Sequence, residues 1–308
     1  MSKDQPMTMT LNKLLVKLVL LAMLVVSPLR AEQSFSVYTV NYPLAYFAER
    51  LAGEHVNVVF PAPAGIDPAF WKPDLTTIRA YQQADLILLN GAGYARWTAN
   101  VSLPRLRSVD TSARFRDQLI RTQGGIAHSH GAGLEHSHAG TAFTTWLDLS
   151  LAAQQARAVA EALQHRLPQQ RQIIEENYLA LEKSLLALDE QLMELVRMNP
   201  GLPLLGSHPV YQYLAHRYGI NLISLVWEPG EVPREEQWKL LEELGSTHGA
   251  KWMLWESEPL AKTVDRLRKM DIESVVIEPA GNHPVQGNYI GTMERNLANL
   301  KMVYERGS

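Results

Sequence analysis

Leu181, Leu185, Leu188, Leu192 and Leu195 step by four, three, four and three residues, which lays them along one side of a single helix. Pro168 stands just upstream, and proline is best tolerated in a first helical turn. The spacing predicts a helix from about Gln169 to Met198, roughly 45 Å long at 1.5 Å per residue. A helix of that length exceeds what one compact α/β unit needs as cover, so the chain on its two sides must be organised around it.

On both sides the chain alternates strand and helix. Upstream, "FSVYTV" (35–40), "VNVVFPA" (56–62), "DLILLNGAG" (85–93) and "LRSVDTS" (106–112) read as strands, with helices at 43–53 and 74–84. The run at 85–93 is apolar without alternation, as in a strand covered on both faces. Downstream, strands at 202–208, 221–227, 251–257 and 273–279 are interleaved with helices at 209–219, 234–249, 259–270 and 289–305. The expected fold class is α/β, with two similar lobes, each a parallel sheet flanked by helices, joined by one long backbone helix. The expected boundaries are a leader at 1–31, an N-terminal lobe at 32–166 carrying a His-rich loop at 124–140, the linking helix at 167–198, and a C-terminal lobe at 199–308.

The leader is read from Lys13 and Lys17, the apolar "LVLLAMLVVS" (18–27) and "PLRA" ending at Ala31, which together resemble a secretory signal peptide. The apolar run falls short of the ~20 residues that span a bilayer. The chain has no cysteine, which removes disulfides, thiolate ligands and a lipid-modified cysteine after the signal. Periplasmic export without a lipid anchor is therefore expected, and any metal must be held by His, Asp and Glu. A net charge of −3 offers no basic surface for nucleic acid.

Ligands of open α/β sheets sit beyond the carboxyl ends of the strands. Asp67, His208, Glu256 and Glu278 occupy such positions, and they put one imidazole and several carboxylates around a shared cleft. A separate group, His128, His130, His136 and His138, lies in "HSHGAGLEHSH" (128–138), a glycine-containing stretch expected to be a flexible surface loop. No Ser-His-Asp order, phosphate-binding glycine loop or HExxH helix is present, so no enzyme and no catalytic cofactor is expected.

Six segments, in this order, resemble the zinc and manganese solute-binding proteins of ABC importers: "GIDPAFWKP" (65–73), "ADLILLNGAGYARW" (84–97), the His-rich loop followed by "TTWLDL" (144–149), "SHPVYQYLAHRYGI" (207–220), "VVIEPAGN" (275–282) and "YIGTMERNLANL" (289–300). The resemblance implies two α/β lobes bridged by a long helix, a transition-metal cargo and an inner-membrane ABC permease as partner, with this chain expected as a monomer. It also implies a histidine from each of three segments plus a late carboxylate or fourth histidine. His208 and Glu278 match two of those positions, whereas Ala69 and Thr144 stand where the other two histidines are expected.

A pair from one lobe leaves open positions in a tetrahedral zinc shell. Asp67 or Glu256 are the candidate substitutes, water would complete an oxygen-rich shell suited to manganese or ferrous iron, and the four loop histidines would serve as auxiliary ligands. The alternative is a metal chelate, such as an iron chelate, that brings its own ligands, with Trp71 and Trp227 as apolar walls, in a subunit that no longer holds a bare ion.

Overall fold

The computed structural model describes residues 35–122, 128–130, 134–136 and 140–307; the leader read at 1–31 and His138 lie outside the described residues. Strands β1 (Phe35–Thr39), β2 (Val56–Val59), β3 (Leu86–Leu89) and β4 (Ser108–Asp110) form a sheet of order β2-β1-β3-β4. All three of its pairings are parallel. Leu86, Ile87 and Leu88 are buried in succession, which explains their unalternated sequence. At the end of β3, Gly91 has φ +76°, and a Cβ there would stand 1.9 Å from Ser112 Oγ and 2.2 Å from Asp110 Oδ1. The glycine of "GAG" thus serves a close backbone approach between strand ends.

Helices α1 (Tyr42–Ala52) and α2 (Leu75–Gln83) start where a side chain caps them, Asn41 accepting from Leu44 N at 3.1 Å and Asp74 from Thr77 N at 2.7 Å. A two-rung antiparallel ribbon, β5 (Arg121–Thr122) with β8 (Gly140–Thr141), frames the His-rich segment. Within it β6 (His128–His130) pairs with β7 (Leu134–His136), His128 standing opposite His136 in the register. The segment expected to be a flexible surface loop thus contains a short hairpin among its described residues, a pairing that its composition does not reveal.

Helix α3 (Leu149–Arg166) is followed by one 3₁₀ turn, Pro168–Gln170, and by α4 (Arg171–Met198), the long helix, about 42 Å at 1.5 Å per residue. Its stripe, extended upstream by Ile174 and Tyr178, is buried. The second sheet comprises β9 (Pro203–Gly206), β10 (Asn221–Ser224), β11 (Trp252–Trp255) and β12 (Glu273–Val276), in the order β10-β9-β11-β12. That repeats the order of the first sheet, again all parallel. Its helices are α5 (Gln212–Tyr218), α6 (Glu235–His248), α7 (Ala261–Arg268) and α8 (Tyr289–Arg306).

The long helix packs against α1, α3, α5 and α8. One apolar core consequently runs from Val37 and Leu88 through Leu185 to Leu204, Leu254 and Leu300. The opposite face of the second sheet has its own core, in which Leu205, Met253 and Trp255 meet Trp227, Trp238 and Leu241. Neighbours Leu204 and Leu205, or Met253 and Leu254, belong to different cores, as the two-residue period of a strand requires. Among the described residues no helix is long and apolar enough to cross a membrane.

Candidate metal centre

The strand order fixes the order of the candidate donors. Glu228, His208, Glu256 and Glu278 follow β10, β9, β11 and β12 respectively, so they line the carboxyl edge of the second sheet in that sequence. The ladder continues past the strands and holds the loops rigid: Ser207 N donates to Leu254 O at 2.8 Å, Leu225 N to Gly206 O at 2.7 Å and Trp227 N to Ser207 O at 2.7 Å. His208 sits on this extension, 2% exposed.

Its imidazole has a carboxylate off each ring nitrogen. Nε2 is 3.6 Å from Glu228 Oε1, and Nδ1 is 3.6 Å from Glu256 Oε1. Glu256 was expected from the sequence; Glu228 was not. The missed signal is a recurring one, an apolar strand run closing on Glu with Pro just after it: "LVWEP" (225–229), "LWESEP" (254–259) and "VVIEP" (275–279). Glu258, the second acid of "WESEP", is exposed.

Glu278 is held differently. The Asn296 side chain of α8 accepts from Glu278 N at 2.9 Å and donates to Glu278 O at 2.8 Å. The Glu278 carboxylate stands 3.7 Å from Arg295, and the loop carrying His208 reaches this strand end through Tyr211, whose hydroxyl donates to Ile277 O at 2.8 Å. Burial, with the Glu256 charge adding to it, pushes the Tyr211 phenol well above its ordinary value, so this hydroxyl keeps its proton and stays a donor. Asp67 turns back on its own loop, its Oδ1 accepting from Ala69 N at 2.8 Å. Trp227 lies inside the second core, 4.7 Å from the Trp238 ring, and so is no wall for a ligand, whereas Trp71 is half-buried. Placing Trp227 in a core was not possible from sequence because an aromatic residue at a strand end reads the same on either face.

The two positions expected to carry histidines are closed by packing. Ala69 is 1% exposed and Thr144 4% exposed. The Thr144 hydroxyl donates to Val210 O at 2.6 Å, two residues past His208, and so ties the segment before α3 to the turn before α5. Next to it Phe143 meets Phe70 and Tyr94 edge to face, and Tyr94 meets Trp146 in the same way. Further bonds join the same two sides: Trp146 Nε1 to Pro279 O at 2.6 Å, Tyr289 Oη to Trp146 O at 2.6 Å, Tyr42 N to Gly281 O at 3.0 Å, and Asn282 Nδ2 to Pro63 O and Ile66 O at 2.7 and 2.8 Å. A crevice of about 10 Å³ between Thr144, Phe143, Pro209 and Gln212 has room for about one water.

Among the described residues no three His, Cys, Asp or Glu side chains converge on one point to hold an ion. The reason around His208 is geometric, since its two carboxylates face opposite edges of the ring. His208 and Glu256 are brought together, whereas Asp67 Oδ1 accepts from Ala69 N on its own loop and Glu278 faces Arg295; His128 and His136 are paired in backbone register.

Residues 37–303 match the family described as ZnuA, zinc-uptake complex component A, periplasmic. Curated relatives include the zinc-binding lipoprotein AdcA of Streptococcus pneumoniae, 23% identical over 297 residues, covering 90% of this chain and 57% of AdcA. The chain therefore spans a little over half the length of that relative. The manganese ABC transporter substrate-binding lipoprotein PsaA of Streptococcus pneumoniae is 25% identical over 226 residues, 70% of each chain. Among solved structures, the Zn(II)-bound ZnuA-like domain of Streptococcus pneumoniae AdcA matches with a TM-score of 0.73 at 19% identity, covering 88% of this chain and 99% of that one. The solute-binding protein FpvC of Pseudomonas aeruginosa, in complex with Mn²⁺, matches with a TM-score of 0.72 at 21% identity, covering 90% of this chain and all of that one. At such identities these structures speak for the fold.

Proposed function

The chain belongs to the ZnuA family of metal ABC-importer solute-binding proteins, and from that premise we propose that it is a periplasmic carrier that delivers a divalent transition metal to an inner-membrane ABC permease. The observation that carries this reading is the buried imidazole of His208 on a rigid strand extension, with Glu256 off Nδ1 and Glu278 ending the next strand of the same edge. In this reading His208 and Glu256 are the fixed ligands and Glu278 joins them when the ion draws its carboxylate from Arg295. One nitrogen among oxygen donors suits manganese or ferrous iron as well as zinc. The histidines at 128, 130 and 136, with His138, act as auxiliary ligands. The protein works as a monomer and a carrier rather than a catalyst. The lack of any cysteine supports an unanchored form, in contrast to relatives named lipoproteins.

A second reading is favoured by the closed positions at Ala69 and Thr144. Where two imidazoles are missing and their places are packed, a cargo that brings its own ligands, a metal chelate such as an iron complex, replaces the bare ion. Elemental analysis of protein isolated from its native compartment separates the two. A stoichiometric ion that disappears in His208→Ala and persists when residues 128–138 are deleted is expected from the first reading. Protein without a bare ion supports the second, and an ion kept by His208→Ala but lost with the loop refutes the fixed site.

A further inference from the structure

We propose that Tyr213 is a positioning residue for metal loading: its hydroxyl pins the base of the His-rich segment to the helix that follows His208, so that an ion taken by the segment passes to the His208 centre within one chain. The proposal rests on the reading of the segment's histidines as auxiliary ligands and of His208 as a fixed one. It adds the residue that holds the two together.

The segment leaves and re-enters the N-terminal lobe through a neck of paired backbone. Ala142 N donates to Ile120 O at 2.9 Å, and next to that bond β5 and β8 pair Arg121 with Thr141 and Thr122 with Gly140. So short a ribbon is marginal in water without packing against something else. Tyr213 supplies the support. Its hydroxyl accepts from Ile120 N at 3.2 Å and donates to Ala142 O at 3.1 Å, so a single oxygen bridges the two sides of the neck. Tyr213 is 1% exposed, and burial pushes its phenol above the ordinary value, which keeps on the hydroxyl the proton that it donates.

Tyr213 is the second residue of α5 and follows His208 by five positions. The turn between them is bound at each step: Val210 N donates to His208 O at 2.9 Å, Gln212 Nε2 to Pro209 O at 2.8 Å, and Tyr211 Oη to Ile277 O at 2.8 Å. With Thr144 tied to Val210 O, the neck and the His208 turn form one bonded unit. Thr122 and Thr141 of the neck accordingly line the same crevice as Pro209, the neighbour of His208. His136 precedes Gly140 by four residues and His128 follows Thr122 by six, separations that a chain spans by at most about 14 and 22 Å. The backbone of both histidines is thereby confined to a short radius around the His208 turn. Groups joined over so few residues meet at effective concentrations in the millimolar range.

The test uses the mature protein with Zn²⁺ supplied on a chromophoric chelator. Titration reads equilibrium affinity, and stopped flow reads the rate of zinc transfer to the His208 centre, identified as the phase lost in His208→Ala. Tyr213→Phe keeps the ring and removes both bonds. After that change the nearest anchored residue beyond His136 is Thr144, eight residues on instead of four, and effective concentration falls as roughly the −3/2 power of the separation, so the phase should slow about threefold. Affinity should stay at the parent value. Replacing the loop imidazoles together, by His128→Asn, His130→Asn, His136→Asn and His138→Asn, should also slow the phase, and adding Tyr213→Phe to those four should slow it no further. The parent rate in a folded Tyr213→Phe overturns the proposal, as does equal slowing by Tyr213→Phe once the imidazoles are gone, because the hydroxyl then only shapes the His208 turn. Amide exchange gives a check that needs no variant: Ile120 N should be protected in the metal-free parent, and free exchange there overturns the pin. An unchanged rate in the four-asparagine chain instead overturns the auxiliary-ligand reading, and the absence of any phase lost in His208→Ala overturns the fixed site, each taking the proposal with it.

Discussion

Replacing Thr144 by valine removes one hydroxyl and keeps the branched shape, so it isolates the bond that spans from the segment before α3 to the turn beside His208. The bond is 2.6 Å long, its donor is 4% exposed, and its acceptor residue, Val210, is 8% exposed. A neutral hydrogen bond contributes about 1 kcal/mol net, and a carbonyl left buried without its donor costs about 1–3 kcal/mol. Val210 N already donates to His208 O at 2.9 Å, so the segment is tightly turned and cannot easily swing its carbonyl to water. Thr144→Val should therefore lose about 1–3 kcal/mol, a substantial part of the ~5–15 kcal/mol that typically holds a folded protein together. In urea the midpoint should fall with the slope unchanged. Zinc affinity should stay at the parent value, because the hydroxyl serves packing rather than coordination. An unmoved midpoint would refute the structural role, and a fall in zinc affinity without loss of stability would make Thr144 a ligand after all.

Two further outcomes follow from groups around the long helix. Arg217 holds Asp189 of α4 by two bonds, at 3.0 and 2.5 Å, with Tyr218 Oη adding a third at 2.9 Å, and Asp189 is 5% exposed. Arg217→Met strands that carboxylate and should cost about 3–5 kcal/mol by urea unfolding, whereas loss of less than about 1 kcal/mol would mean the pair is solvated. Asp148 caps α3, accepting from Ser150 N at 2.9 Å and Leu151 N at 3.1 Å, but burial pushes its carboxyl above the ordinary range despite those bonds and the nearby Arg217. A raised folded value means that the fold prefers the protonated form, so the parent loses stability as pH rises from the unfolded carboxyl value to the raised one. Asp148→Asn keeps the cap without that loss, and its stability relative to the parent should improve across the same window and then level off. A relative stability that does not change with pH would show that the capping bonds cancel the burial.

Much of the architecture was legible because periodicity is a local property. The leucine stripe announced a helix from about Gln169, which proves to begin at Arg171 after a 3₁₀ turn, the run "DLILLNG" announced a strand buried on both faces, and "KWMLW" announced a strand. Glu256 was found by its place at a strand end. Glu228 was not, although "LVWEP" carries the same signature, because position at a strand end does not say which neighbouring loop a side chain will meet. The hairpin β6–β7 was illegible because "HSH" and "LEH" have no apolar alternation.

By itself, the amino-acid sequence determined the element types, the repeated α/β pattern, the long connecting helix and the replacement of two expected histidines by Ala69 and Thr144. Tertiary structure alone decided what those replacements do, because the contacts lie far apart in the chain: Thr144 is 66 residues from Val210, and Trp146 is 133 residues from the Pro279 carbonyl it binds. It also decided which acids meet His208. The order β10-β9-β11-β12 sets Glu228 and Glu256 on opposite edges of one imidazole, an arrangement made by strand adjacency in space and invisible to any spacing along the chain.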